Sequence, residues 1–454
     1  MKTQYNLDLY IKKMQNKGIR LHSALLYSNY ELQEVHYFPP YNREMRHRAY
    51  STTKSFVAIA VGKLYTQGLI NLDDKIVDYF REEFQLGQLP EYLENNTIRN
   101  MLMMNTCYSA STYGLHRKDW VRSYFDAKPT HPAGTLWFYD SSGSYVMGAL
   151  VKRLTGKDFV SYLRPEFDIL GLSPDITCVA GPDGDMWAGS GLLITPEDLA
   201  RVAYWILNKG NWKGQQLLDP QYCADAVSPL ICNYDDVSAI HVNRGYGYQI
   251  WAIPNGGFIF KGLGGQFAIG FPDKDLVFVC TADVQGSQFM YDELIDGVYE
   301  YILGEDMTPR LPAKENVLDQ IANVTYEIDP NPSGFSTVCV RKDENGTSLC
   351  YTKNGVELEL PFDTEQEITF NFPETFYGSQ LLDEAQRINY KCQIQATWVE
   401  KHKLFLRIWA NDIYVGNMAI SLSFVGDKIG IKMSRAAQFF FDDYQGYYGG
   451  KKIK

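Results

Sequence analysis

Ser51 and Lys54 stand three residues apart in the run Ser51-Thr52-Thr53-Lys54. Three residues is nearly one helical turn, so in a helix both side chains share a face and Lys54 Nζ reaches Ser51 Oγ. A serine beside a lysine becomes a nucleophile when burial and neighbouring cations lower the ammonium pKa enough for the neutral amine to take the hydroxyl proton. A serine at a helix start gains further: its backbone N–H points outward without an intrahelical partner, and the dipole favours developing negative charge. The spacing by itself is weak, because a serine capping a helix whose lysine faces solvent gives the same four letters. Arg46 and Arg48 either raise the local positive potential or are ordinary surface arginines.

A second constellation strengthens the first. Gly134-Thr135-Leu136-Trp137-Phe138-Tyr139-Asp140-Ser141 precedes a helical pattern, which puts Tyr139 and Ser141 on a tight loop at that helix's start. A tyrosine near a lysine ammonium titrates low enough to act as a base, and a hydroxyl two residues on points the same way and can hold Lys54. Ser141 is equally readable as the helix cap. Other chemistries find no support. There is no Gly-x-Ser-x-Gly elbow, HExxH, Walker A run or dinucleotide glycine pattern. The seven histidines are dispersed, and His47 and His131 read as loop or hydrogen-bonding residues. The eight cysteines form no CxxC pair and no Cys/His cluster at zinc spacing, so free thiols are expected, with no metal and no cofactor.

Positioning these residues requires an ordered set of elements. Alternating runs at Arg20–Tyr27 and Glu31–Phe38 predict a β-hairpin. Ser51–Gly68 predicts a helix stopped by its glycine, and Ser142–Leu154 a second, ending at Gly156. Thr195-Pro196-Glu197-Asp198 is a helix start with a threonine cap, proline in the first turn and acids at the positive end of the dipole. Strands are predicted at Tyr246–Ile253, Phe258–Lys261, Gln266–Phe271 and Leu276–Ala282, then a helix at Phe289–Leu303. Strand, helices, strands, terminal helix: the order gives an α+β domain, an antiparallel sheet flanked by helices with a helical insertion. After a Pro- and charge-rich linker the pattern changes to short alternating runs, predicting a C-terminal all-β sandwich or barrel. The expected units are residues 1–308, a linker 309–316, and an accessory β domain 317–454.

With 454 residues the chain is long enough for two or three domains, and its 45% hydrophobic and 21% charged residues suit a buried core. A net charge of −11 argues against a nucleic-acid partner, which would need a basic face. No apolar run approaches the roughly 18 residues that span a bilayer. The stretch Met1–Asp8 lacks the pattern of a signal peptide, so a cytoplasmic location is expected.

Taken in order, Ser51–Lys54, Gly68-Leu69-Ile70-Asn71-Leu72-Asp73-Asp74, Thr97–Leu102, Tyr139-Asp140-Ser141, Gly189–Leu199, Tyr246–Trp251 and Gly262-Leu263-Gly264-Gly265-Gln266 resemble the class C β-lactamase and penicillin-binding-protein-like serine hydrolase family. The resemblance runs over about residues 10–305, and its specificity lies in the series rather than in any one motif. It implies an acyl-enzyme on Ser51, with Lys54 and Tyr139 moving the proton and Ser141 in support. It further implies that the backbone N–H groups of Ser51 and Leu263 hold the oxyanion. The third motif departs from the family. Where lactamase members carry Lys-Thr/Ser-Gly, this chain has Phe260-Lys261-Gly262 leading into Gly-x-Gly-Gly-Gln, as in the esterase and oligoamide-hydrolase branches. The missing hydroxyl makes efficient β-lactam turnover unexpected. Lys261, Gly262, Gly264, Gly265 and Gln266 become candidate substrate contacts, with Lys261 alternatively a strand-edge lysine. A hydrolase of small esters, amides or peptides is the leading expectation. A non-catalytic protein binding a peptide or cell-wall fragment is the rival, with the β domain as its ligand or partner module.

Overall fold

The computed structural model describes residues 5–235, 237, 241–377, 387–437 and 440–453. The chain opens with a helix, α1 (Leu7–Asn16), capped by Asn6 and burying Leu7, Tyr10, Ile11 and Met14 on one face. The sequence reading assigned no element here, although that i, i+3, i+4, i+7 spacing is a helical one. The expected hairpin follows as β1 (Arg20–Ser28) and β2 (Glu31–Tyr37). Next come α2 (Thr53–Thr66), α3 (Ser141–Thr155) and α4 (Pro196–Leu207). The caps of α4 are as read: the Thr195 hydroxyl accepts from Asp198 N–H at 3.2 Å. The cap of α3 is Asp140, not Ser141; its carboxylate accepts from Ser142 N–H at 2.8 Å and Gly143 N–H at 2.9 Å.

The remaining strands of the first sheet are β3 (Gly245–Tyr246), β4 (Trp251–Ala252), β5 (Phe258–Gly262), β6 (Gln266–Phe271) and β7 (Leu276–Asp283), followed by α5 (Gln288–Gly297). Tyr246–Ile253 is therefore two short strands, not one. The chain turns at Gln249, with φ 53°, and pairs Tyr246 with Trp251. The turn lets Tyr248 and Ile250 bury among the helices. The terminal helix is also divided, because α5 passes into a π-helical turn at Val298–Leu303.

The sheet has the antiparallel order β2-β1-β7-β6-β5-β4-β3 and lies between two helical layers. Alternation along the strands divides two cores. Phe278, Cys280, Phe267, Ile269 and Ile259 face α1 and α5, while Val277, Val279, Ala268, Phe258 and Phe260 face α2, α3 and α4. Helix α2, buried through almost its whole circumference, is the spine of that second core.

The C-terminal strands are β8 (Thr325–Ile328), β9 (Phe335–Asp343), β10 (Gly346–Lys353), β11 (Val356–Phe362), β12 (Ile368–Asn371), β13 (Lys391–Glu400), β14 (Lys403–Asn411), β15 (Val415–Val425), β16 (Lys428–Ala436) and β17 (Gly446–Lys452). Their order is β11-β10-β9-β8-β17-β16-β15-β14-β13-β12, and β11 approaches β12 and β13 to form a nearly closed antiparallel barrel. Its interior carries a separate hydrophobic core. Residues 304–316 hold no regular element, and Ala313 N–H donates to Trp398 O at 2.7 Å. No helix among the described residues is long and apolar enough to cross a membrane.

Candidate active site

Ser51 sits in a 3₁₀ turn, Tyr50–Thr52, that runs into α2. Tyr50, immediately before it, has φ 47°, a left-handed conformation that a bulky side chain adopts only when its surroundings impose it. Those surroundings are explicit. Thr52 Oγ1 donates to Gln266 O at 3.1 Å, and Thr53 Oγ1 donates to Tyr50 O at 2.5 Å. The turn is thus tied to the end of the sheet and to its own helix.

Lys54 is fully buried one turn on. Its ammonium donates to Ser51 Oγ at 3.1 Å and to Gly189 O at 2.5 Å, under the Tyr139 ring at 4.9 Å. Burial brings its pKa down to about 7, and only the Asp140 carboxylate pulls the other way. No cation takes part in that shift. Arg46 bonds Asp175 O and Thr177 Oγ1, while Arg48 donates to Ser190 O at 3.1 Å and lies over the Tyr50 and Trp187 rings. Burial therefore favours the neutral amine, the form that can accept a proton.

Tyr139 titrates in the opposite sense to the expectation. Burial pushes its phenol well up, and a hydrogen bond to Ser51 offsets only part of that. Tyr139 is thus a proton-bearing group, and of the two it is Lys54 whose burial favours the proton-free form. The Ser141 hydroxyl does not hold the lysine. Among the described residues, Lys54 Nζ has Ser51 Oγ and Gly189 O as acceptors, while Ser141 contributes its carbonyl to the Tyr113 hydroxyl at 2.6 Å.

The opposite wall is the end of β5. β6 pairs with β5 as far as Gly262, but β4 pairs only with Phe258 and Ile259, so on that edge the stretch to Gly262 is open and faces the Tyr50–Thr52 turn. Gly262 makes that approach possible: a Cβ there would overlap Ala49 O and lie 2.7 Å from Gln266 O. Gly264 (φ 75°) and Gly265 (φ 92°) form the reversal into β6, and Leu263 stands at its tip, 55% exposed. Lys261 lies over the faces of Trp251 at 5.1 Å and Tyr291 at 4.9 Å, and burial brings its pKa down to about 8 against the pull of Asp292. Gln266 points away from this cleft, its amide donating to Ala282 O at 2.5 Å and Gly264 O at 3.3 Å.

Several further residues at the site lie in stretches that the sequence reading names without giving them a role. The Gly189 carbonyl acts through its backbone, and its one signal is the small Gly189-Ser190-Gly191 run, where a Cβ at Gly189 would lie 2.9 Å from Ser141 O. Trp137, Tyr246 and Trp251 wall the site around Tyr139 with ring centroids 5.4–6.5 Å away. His47 and His131 lie elsewhere, packed on Tyr41 and Tyr447 respectively. Among the described residues, one group of metal-ligating types comes together: Asp8, Glu34 and His36, on α1 and β2, which carry none of the site residues.

A sheet between two helical layers, with a serine–lysine pair at the mouth of a buried helix and a glycine-rich strand end across from it, is the architecture of β-lactamases and penicillin-binding proteins. The chain belongs to the β-lactamase family, whose model, described as Beta-lactamase, matches residues 9–297. Members of this family are in general serine hydrolases acting on esters or amides.

The fold is similar to that of a protein from Bacillus anthracis provisionally named a 6-aminohexanoate-dimer hydrolase (18% identity, TM-score 0.52, 63% of this chain and 80% of that one). It is also similar to EstCE1, a hydrolase with promiscuous acyltransferase activity (14%, 0.53, 64% and 98%). The octameric penicillin-binding protein homologue from Pyrococcus abyssi aligns over 98% of both chains, at 16% identity and TM-score 0.51. No curated protein matches the chain.

Proposed function

We propose that the protein hydrolyses small esters or amides through an acyl-enzyme on Ser51. The observation that carries this is the buried Lys54, its pKa brought down to about 7, with its amine 3.1 Å from Ser51 Oγ. Neutral Lys54 takes the Ser51 proton as the oxygen attacks the carbonyl. The protonated Tyr139, hydrogen-bonded to Ser51, hands a proton to the leaving alcohol or amine and recovers one through Lys54. Water then repeats the sequence on the acyl-enzyme. The backbone N–H groups of Ser51 and Leu263 are the proposed oxyanion donors, consistent with the close approach of Gly262 to the Ser51 turn. Lys261, boxed by Trp251 and Tyr291, supplies positive charge beside the cleft for an electron-rich substrate group. The aromatic wall favours a flat or apolar substituent. The hydrolase unit is assigned to residues 1–308, with 309–316 joining it to an accessory barrel, 317–454.

The test is intact-mass analysis after a fluorophosphonate probe, comparing the wild type with Ser51→Ala. One adduct is expected on the wild type and none on the variant; an adduct that survives the substitution overturns the assignment of the nucleophile.

A further inference from the structure

The loop that carries Tyr139 rests on the barrel. Two glycines receive it. A Cβ at Gly430 of β16 would overlap the Thr135 hydroxyl and lie 2.9 Å from Leu136 Cγ; one at Gly449 of β17 would lie 2.8 Å from Pro132 Cδ. Neither glycine has a φ in the left-handed region, so backbone conformation does not call for glycine at either place. Close approach of the loop does. Between them Tyr447 stacks on His131 at 5.6 Å and meets Phe138, the neighbour of Tyr139, edge-on at 5.8 Å.

The aromatic wall beside Tyr139 is held to the same barrel through Tyr246. Ile231 bridges to Tyr246, and Asp235, four residues on, bonds Lys432 of β16 at 2.6 Å while its carbonyl accepts from Ser421 Oγ of β15 at 2.9 Å.

We propose that the outer face of β16 and β17 is a positioning surface of the active site: by seating residues 131–138 it holds the Tyr139 ring over Lys54. This rests on the function proposed above. The groups facing Lys54 are Ser51 from its own turn, Tyr139 and Asp140 from the loop, and the Gly189 carbonyl; of these only Asp140 is a carboxylate. If the loop lifts, water reaches the ammonium and the desolvation that lowers its pKa is lost.

The experiment uses the full chain with Gly430→Val and follows the rate of Ser51 labelling by a fluorophosphonate from about pH 5 to about pH 10. Labelling at neutral pH is expected to fall at least about tenfold, with its acid limb moved to higher pH. Tyr447→Leu, which removes contact without adding bulk, is expected to shift the limb in the same direction by less. Gly416→Ala, which presses on Ala437 and Phe440 within the barrel, is the comparison and is expected to leave the limb in place. An unmoved limb in both Gly430→Val and Tyr447→Leu overturns the proposal, and so does an equal shift in Gly416→Ala. A wild type that is not labelled at Ser51 overturns the proposed function itself.

A second inference stands on a separate observation. Cys339 of β9 and Cys350 of β10 are direct cross-strand partners, both half-buried free thiols on the same outer face of the barrel. They line one recess with Thr325, Thr337, Arg341 and Thr352. Opposed residues in an antiparallel pair have Cα atoms about 4.5 or 5.5 Å apart, and both separations fall within the roughly 4.4–6.8 Å that a disulfide spans. We infer that this pair is a redox site that closes to a cross-strand disulfide when a low-molecular-weight disulfide oxidises it. One thiolate attacks the reagent's S–S bond and expels one reagent thiol. The second thiolate then displaces the other, so two S–H bonds and one reagent S–S bond give one protein S–S bond and two released thiols.

Native protein treated with oxidised glutathione is expected to lose two hydrogens in mass and to yield a peptide pair joined through Cys339 and Cys350. Cys339→Ser is expected to carry glutathione on Cys350 instead. Glutathione on both cysteines of the wild type, or two unreacted thiols, overturns the inference.

Discussion

A buried lysine with one carboxylate for a neighbour gives up its proton more easily than one in solution, and Lys54 is in that position. Its charge affects both rate and stability. The rate of Ser51 acylation is expected to rise with pH through a limb near 7, and Lys54→Met to abolish both the limb and the turnover. For stability the sign is fixed by which state holds the proton. Between about 7, the folded value, and 10.5 the unfolded chain keeps a proton that the folded chain has released, so this residue adds stability as pH rises across that window. The gain is bounded by roughly 1.4 kcal/mol per pH unit. Chemical denaturation of the wild type and Lys54→Met at several pH values measures it; a wild type that gains no stability relative to Lys54→Met as pH rises across that window contradicts the assignment. Tyr139→Phe retains the ring over the lysine and removes its proton, so turnover should fall about 10²–10⁴-fold with folding intact. That Ser51, Lys54 and Tyr139 come together was legible in the sequence because their side-chain types and spacing stand in it. Gly189 was not, because a carbonyl acceptor carries no residue type, and the direction of Tyr139's shift depends on a burial that no motif records.

Among the elements, β5 and the turn at Ser51 depend on one another through Gly262. Any side chain there meets Ala49 O, Gln266 O and Thr52 Oγ1, so Gly262→Val must move the strand or the nucleophile. The expected cost is about 1–3 kcal/mol of stability, as for other overpacked sites. Acylation should fall further than that cost implies, because the same displacement moves the proposed oxyanion donor at Leu263. Thermal unfolding and probe labelling measured together separate the two effects; labelling at the wild-type rate would detach Leu263 from the reaction. Most of the first sheet was legible because its strands are short apolar runs bounded by glycine and aspartate turns. Tyr246–Ile253 misled because both of its ends are apolar and only tertiary packing of Tyr248 and Ile250 forces the turn. Helix α1 was passed over although its cap and its apolar face are both written in residues 6–14. In the barrel, β17 is a run of tyrosine, glycine and lysine that lacks the apolar alternation by which the all-β pattern was read.

At the scale of the molecule the two domains share charge that neither can bury alone. Asp235, from the first domain, is buried between Lys432 at 2.6 Å and Lys403 at 3.6 Å of the barrel. Burial pulls the Lys403 ammonium down, but Glu400 and Asp235 outweigh it and its pKa ends above the ordinary lysine value. Such a cluster contributes little net stability while complete, since desolvation offsets most of the attraction. Its weight appears when one member is removed. Asp235→Ala removes the carboxylate that both ammonium groups share, leaving Glu400 at 3.8 Å as a carboxylate partner of Lys403, and the interface should lose up to about 3–5 kcal/mol. The loss should appear in denaturant as separation of one cooperative transition into two, the barrel and the sheet domain unfolding apart. Ser51 labelling should slow at denaturant concentrations where both domains are still folded, because the Tyr246 and Tyr139 walls are seated on the surface that has been released. Asp235→Asn, which keeps the shape and a hydrogen-bond acceptor, should fall between the two. Were Asp235→Ala to unfold in a single transition with labelling unchanged until then, the charge cluster would be a passive contact and the domains would be held by their apolar surfaces alone.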